Sequence, residues 1–286
     1  MNTLLLDNGT LRCEVRPDLG GCIAGLWLGD LPVLRSTPGD GLHNVRLSGC
    51  FPLVPFSNRI GHAVLAWQGT GHPLVHNLVQ EPHAIHGVGW QRPWEVLEHA
   101  PDFLMLAHEH RAQAQWPFAY DASQTLRLQG HRLEMTLSIT NQSGRPAPVG
   151  LGWHPYFVKR AGSHIRFHAR GRWEMGPDKL PTAHRSTGGL ARPCAGLDVD
   201  HCFDGWDGQA WLEDEAMRVH LSAPLHHLVV FTTPERDFIA IEPVSHVNNA
   251  LNLHAQGGDA DQLGVRVLAP GESYSVAMEM AITPAG

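Results

Sequence analysis

The sequence predicts an all-β protein, a large antiparallel sandwich occupying residues 1–286 as a single domain. Three observations carry this expectation. Apolar residues recur with period two along most of the chain, no stretch of a dozen residues has helical periodicity, and 30 glycines and 21 prolines are spread evenly. Period two puts alternate side chains on opposite faces of a strand, one toward a core. Many short strands in a chain of this length form a sandwich. No low-complexity segment, charge block or fixed-period repeat separates two halves.

The elements follow in order. Leu11, Cys13 and Val15 alternate with polar neighbours just after Asn8-Gly9, a hairpin signal. Leu126 and Leu128 lead across Gly130 to Leu133, Met135, Leu137 and Ile139, which end at the turn cluster Asn141–Gly144. Between Met175 and Val199, Pro177, Pro181, Gly188-Gly189 and Pro193 predict a long surface loop. Alternation then resumes at Val219 and Leu221, and continues through Leu228–Phe231, Phe238–Ile241, Val265 and Val267 to a closing strand at Ser275–Ile282.

Composition narrows the class of function. The chain has 43% hydrophobic and 17% charged residues and a net charge of −7. That balance disfavours nucleic acid or an anionic membrane as partner. Five scattered cysteines without a Cys-x-x-Cys pair fit a reduced compartment. The leucines of Met1–Asp7 are too few for a signal-peptide core, and no run of 18 apolar residues occurs, so a cytoplasmic protein is expected. There is no phosphate-binding glycine loop, nucleophile elbow or His-Glu-x-x-His.

Five segments place reactive groups in glycine, proline or aromatic surroundings. In Gly150–Phe157, Pro155 holds His154 extended, which suits a stiffly mounted general acid walled by Trp153, Tyr156 and Phe157. Arg59, in Phe51–Gly61, offers a rigid donor fork to hydroxyls or a carboxylate, or pairs an acid at the core edge. His83 and His86 stand three apart, a spacing that points to opposite faces of a strand and disfavours a shared metal. His86, before Gly87, suits hydrogen bonding at a strand end. Asp198, Asp200 and Asp204 lie beside aromatic residues, a mixture suited to sugar hydroxyls and the apolar side of a sugar ring. Glu242 ends an apolar strand before Pro243, where it either acts as a base of tuned pKa or caps the strand.

Taken together, Asn58-Arg59-Ile60, His86-Gly87, His154–Phe157, Asp200–Phe203 and Ile241–Pro243 occur in an order that resembles the aldose 1-epimerase (galactose mutarotase) family. The resemblance spans roughly residues 50 to 250. It implies a large twisted antiparallel β-supersandwich with a sugar on its concave face. It further implies that His154 is the general acid toward the ring oxygen and Glu242 the base at the anomeric hydroxyl. His86, Arg59 and Asp200 would bind the substrate. The implied reaction interconverts the α and β anomers of a free aldose such as galactose, glucose or a pentose, with no metal or other cofactor. Trp153 stands where galactose mutarotases usually carry asparagine, and no glutamine occurs around Leu228–Thr232, so the resemblance implies an outlying bacterial branch. Both departures are expected to bear on sugar choice. A hexose-6-phosphate 1-epimerase is the alternative within this class; it calls for a basic cluster at the mouth, which the net charge of −7 does not favour, and its usual Gly-Gly-Ile-Pro segment is missing. A non-catalytic carbohydrate-binding protein of the same fold is the alternative outside it.

Overall fold

The alternating segments pair with one another as antiparallel strands. A computed structural model of the chain describes residues 3–285. Strand Leu4–Asp7 turns at Asn8-Gly9 onto Leu11–Arg16, in a four-stranded sheet at the start of the chain. Tyr120–Gln129 and Arg132–Asn141 form the longest hairpin, bent at Gly130 with φ 55°. Its inward residues Leu126, Leu133, Met135, Leu137 and Ile139 are fully or almost fully buried. This hairpin sits within a nine-stranded sheet that the C-terminal strand Ser273–Pro284 continues.

An eight-stranded sheet packs on that one through a shared core. Its central strands, Val199–Asp204, His227–Thr232 and Phe238–Val244, are buried on both faces. Phe203, Leu228, Val230, Ile239 and Ile241 point into the core between the sheets. Burying each such side chain stabilises the fold by about 1.5–3 kcal/mol. The alternate residues Cys202, Val229, Phe238, Ala240 and Val244 join a second apolar cluster on the far face, with Phe51, Trp90 and Tyr156. That far face carries the site described below.

Two features depart from expectation. The segment Met175–Val199 is not one long loop. It contains the strands Pro181–Ser186 and Leu190–Pro193, which form edges of the eight- and nine-stranded sheets respectively. Helix is confined to short pieces, with Ala250–Ala255 and Ala260–Leu263 the α-helical turns among the described residues. None of these helices is long and apolar enough to cross a membrane.

Buried histidines give the fold a pH dependence. Burial pulls His108 and His246 down to about 4, from an ordinary 6.5, and lowers His110 as well. The unfolded chain therefore binds more protons than the folded one between about pH 6.5 and 4, so stability falls as pH drops through that window. Each group contributes roughly 1.4 kcal/mol per pH unit while only its unfolded form is protonated. The thermal midpoint, followed by circular dichroism, should decline steadily from about pH 7 to pH 4; an unchanged midpoint would contradict neutral buried imidazoles.

Candidate active site

Register across the eight-stranded sheet lines up the polar residues of its far face. Val229 lies opposite Glu242, and Cys202 opposite Val229, in one row across three strands. In the neighbouring row, Asp200 faces Phe231, Phe231 faces Ala240, and Ala240 faces Tyr156. Period two therefore puts Asp200, Glu242 and Tyr156 on one face. All three line a cavity of about 400 Å³ together with Arg59, His86 and His154.

His154 is fixed by its own backbone. The Gly150 N–H donates to the Pro55 carbonyl at 2.6 Å, that of Leu151 to Ser245 Oγ at 2.9 Å, and that of His154 to the Phe51 carbonyl at 3.0 Å. Gly152 permits this approach, because a Cβ there would lie 2.6 Å from the Pro243 carbonyl oxygen. The imidazole packs against Phe51 and Tyr156, with ring centroids 4.8 and 4.3 Å away. Its Nε2 is 3.1 Å from Glu242 Oε1. The side chain of Glu242 is 2% exposed and that of His154 8%.

Burial dominates the electrostatics of this pair. It lowers His154 to about 3, with the Arg35 charge adding to the effect. It raises Glu242 well above the ordinary carboxylate value, assisted by Asp200 and opposed by Arg59. Both shifts favour uncharged forms, so the pair holds one proton, resting on the carboxyl side. His154 Nδ1 and Glu242 Oε2 are buried without a protein partner.

His86 approaches from a different layer. It follows the short strand Ala84–Ile85 in a left-handed conformation, φ 60°, and its N–H donates to the Asn58 carbonyl at 2.7 Å. Gly87 continues the turn at φ 74°, where a Cβ would sit 2.2 Å from the Val54 carbonyl oxygen. The Asn77 amide clamps the same turn through the carbonyls of Ile85 and Gly87. The His86 ring meets that of His154 edge-on at 5.1 Å, and burial keeps it neutral. His83 diverges from it: its Nδ1 accepts from the His62 N–H, and its Nε2 donates to the Asp178 carbonyl at 2.7 Å.

Arg59 pairs with an acid, one of the two roles its sequence allowed. Its Nε and Nη2 donate to the two oxygens of Glu81 at 3.1 and 3.0 Å, while the group still lines the cavity. Asp200 is paired with Lys179 at 3.0 Å. Asp198 is exposed, and Asp204 is buried beneath His184 and Trp173. Trp153 and Phe157 require correction as cavity walls. Both point into the core between the sheets, and the Trp153 indole N–H donates to Gln124 Oε1 at 3.1 Å. Sequence reasoning missed Arg35, Arg46 and Arg236, which line the cavity from outside the five segments singled out above.

The chain as a whole is similar to known proteins. The family model for Aldose 1-epimerase matches residues 2–281. The chain is 32% identical over 305 residues to the uncharacterized Escherichia coli K12 protein YphB, covering 99% of each. A crystal structure of an aldose 1-epimerase candidate from Escherichia coli K12 matches with a TM-score of 0.89 at 30% identity, over 99% of both chains. A galactose mutarotase-like protein from Clostridium acetobutylicum matches with a TM-score of 0.87 at 19% identity, over 99% of this chain and 95% of that one.

The placement of Trp153 has a measurable consequence. Trp153→Phe leaves a core gap and strands the Gln124 oxygen, and should destabilise the fold by about 2–4 kcal/mol. Denaturant unfolding would report that loss. Ligand affinity at the cavity should not change; a shift in affinity without loss of stability would restore Trp153 to the binding surface.

Proposed function

Since the chain belongs to the aldose 1-epimerase family, we propose that it interconverts the α and β anomers of an aldose by acid–base ring opening and reclosure. The observation that carries this reading is the buried contact of 3.1 Å between His154 Nε2 and Glu242 Oε1, on the wall of a sugar-sized cavity. Opening a cyclic hemiacetal removes the proton from O1 and delivers one to O5. These oxygens share the anomeric carbon, so the acid and the base must also be neighbours. Glu242 takes the O1 proton as the C1–O5 bond breaks, and His154 delivers its proton to O5. The aldehyde turns about the C1–C2 bond and presents its other face. Reclosure then returns the proton from O5 to His154 and gives one from Glu242 to O1.

The proton inventory fits this cycle. The pair holds one proton in the free protein, as the reaction requires, and only its position changes. Sugar hydroxyls donating to the carboxylate oxygens stabilise its ionised form and draw the proton across to His154. His86, Arg59 and Asp200 hold the ring in register, Arg59 and Asp200 being themselves steadied by Glu81 and Lys179.

Anomer exchange, followed by NMR on freshly dissolved aldoses, tests the proposal. Glu242→Gln and His154→Asn should each lower kcat by about 10²–10⁴-fold with little change in KM. Wild-type rates no faster than buffer on every aldose would point instead to a binding protein. The pH profile should also lack the acid limb of an ordinary histidine. Activity should be lost on the acid side only toward pH 3, where His154 takes up a second proton. On the alkaline side it should fall as the raised Glu242 carboxyl gives up the shared one.

A further inference from the structure

One buried histidine takes no part in the acid–base pair, yet it is bonded to two segments that border the cavity. His83 is fully buried. Its Nδ1 accepts from the His62 N–H at 2.9 Å, in the left-handed turn three residues beyond Arg59. Its Nε2 donates to the Asp178 carbonyl at 2.7 Å, 95 residues further along the chain. The two bonds fix one tautomer, with the proton on Nε2, because a backbone N–H only donates and a carbonyl only accepts. Glu81, whose carboxylate holds Arg59, lies 3.9 Å from the same Nε2.

Asp178 belongs to the tip of the hairpin formed by Gly171–Met175 and Pro181–Ser186. That hairpin edges the eight-stranded sheet, but its pairing with Val199–Asp204 stops at Trp173 and Cys202. Beyond that point the tip leaves the sheet and reaches the short strand pair Arg59–Ile60 and Ala84–Ile85. Two contacts seat it there: His83 holds the Asp178 carbonyl, and Leu180 packs on Gly61, where a Cβ would lie 3.0 Å from Leu180 Cδ1. From the seated tip, Lys179 Nζ reaches back to Asp200 Oδ2 at 3.0 Å. Lys179 is itself left-handed at φ 64°, a conformation that costs a non-glycine residue free energy and persists where its surroundings hold it.

Arg59 and Asp200 thus meet the cavity from different layers, and the hairpin tip joins those layers. Resting on the epimerase reading, we propose that His83 is a positioning residue for the sugar: it seats the hairpin tip against the turn after Arg59, and so fixes Arg59 and Asp200 relative to each other. With the tip seated, Lys179 holds the half-buried Asp200 carboxylate in one orientation while Glu81 aims the Arg59 fork. With the tip released, Lys179 leaves Asp200, and the sugar must order that carboxylate itself at the expense of affinity. The proton pair lies outside this circuit. Glu242 is placed by strand register, and His154 by the bonds of its segment to Pro55, Ser245 and Phe51. The effect of His83 is therefore on binding, and is read in Kd and KM rather than in kcat.

Calorimetric affinity, with KM and kcat from NMR anomer exchange, tests the assignment on galactose, glucose and xylose. His83→Phe removes both bonds but keeps a ring, and should raise Kd and KM about tenfold while kcat changes less than about twofold. His83→Gln keeps a donor and an acceptor and should recover most of the affinity. Lys179→Ala should also weaken binding, and adding His83→Phe to it should cost less than about threefold more, because the two residues act along one path. A purely structural histidine would lower the thermal midpoint and leave Kd untouched, or its effect would multiply in full with that of Lys179→Ala; either result overturns the proposal. Should His83→Phe not fold, Leu180→Ser unseats the same tip from Gly61, and an unchanged Kd there overturns it equally. A wild type that binds a sugar without accelerating its exchange sinks the epimerase reading alone, since Kd still reports on His83. Acceleration with Kd and KM indifferent to His83 sinks the positioning role alone, and a wild type that neither binds nor accelerates any of the three sugars overturns both.

Discussion

Glu242 and His154 stand 3.1 Å apart where water is largely excluded, and neither has a counter-ion of its own. An ionised carboxylate or imidazolium in that setting loses several kcal/mol of solvation, whereas one proton shared between them leaves both groups neutral. Much of the surrounding architecture is consistent with that constraint. The walls nearest the pair are Phe51, Tyr156 and a neutral His86. The charges bordering the cavity at Arg59 and Asp200 are each matched by a partner, so neither imposes a full unbalanced field on the proton. Short separation in turn demands stiffness, supplied by strand register for Glu242 and by the backbone bonds of Gly150–His154 for its partner.

How far the sequence disclosed this depends on where each residue lies. The hairpin around Gly130 was legible because one of its faces is buried and the other is not, so apolar and polar residues alternate. The alternation expected to continue through Phe238–Ile241 fails there, since the strand is apolar throughout under a sheet covered on both faces, and Glu242 betrays the far face only by being charged. His154, His86 and Arg59 stood out because glycine and proline mark the irregular backbone that mounts them. Trp153 was misjudged for a simple geometric reason: adjacent strand residues point to opposite faces, so a neighbour of His154 belongs to the core. Pro181–Ser186 looked like loop because five of its six residues are exposed at a sheet edge, where no apolar period is imposed.

Charge was the least legible property. A net of −7 is a sum over the whole surface, whereas a ligand feels the groups around one mouth. Arg35, Arg46 and Arg236 come from separate loops, some 11 and 190 residues apart along the chain. No spacing rule connects them; the fold does so through Phe238 and the Ser48 turn. The two basic-acid pairs nearby were hidden for the same reason, since Glu81 and Lys179 carry no motif.

The arrangement separates chemistry from selection. In the proposed reaction the proton is handled by groups on a sheet row and a backbone-pinned segment, both difficult to alter without disturbing the core. The arginines sit on loops at the rim, two of them exposed, where substitution costs little stability. The proposed anomerisation involves only C1, O1 and O5, so on that reading the same pair serves any aldose that fits, and the rim selects among them. Divergence in such a protein would be expected to accumulate at positions like Arg46 and Arg236. The His154–Glu242 separation cannot drift in the same way, because a gap between them would leave a buried carboxyl and a buried imidazole without a hydrogen-bond partner.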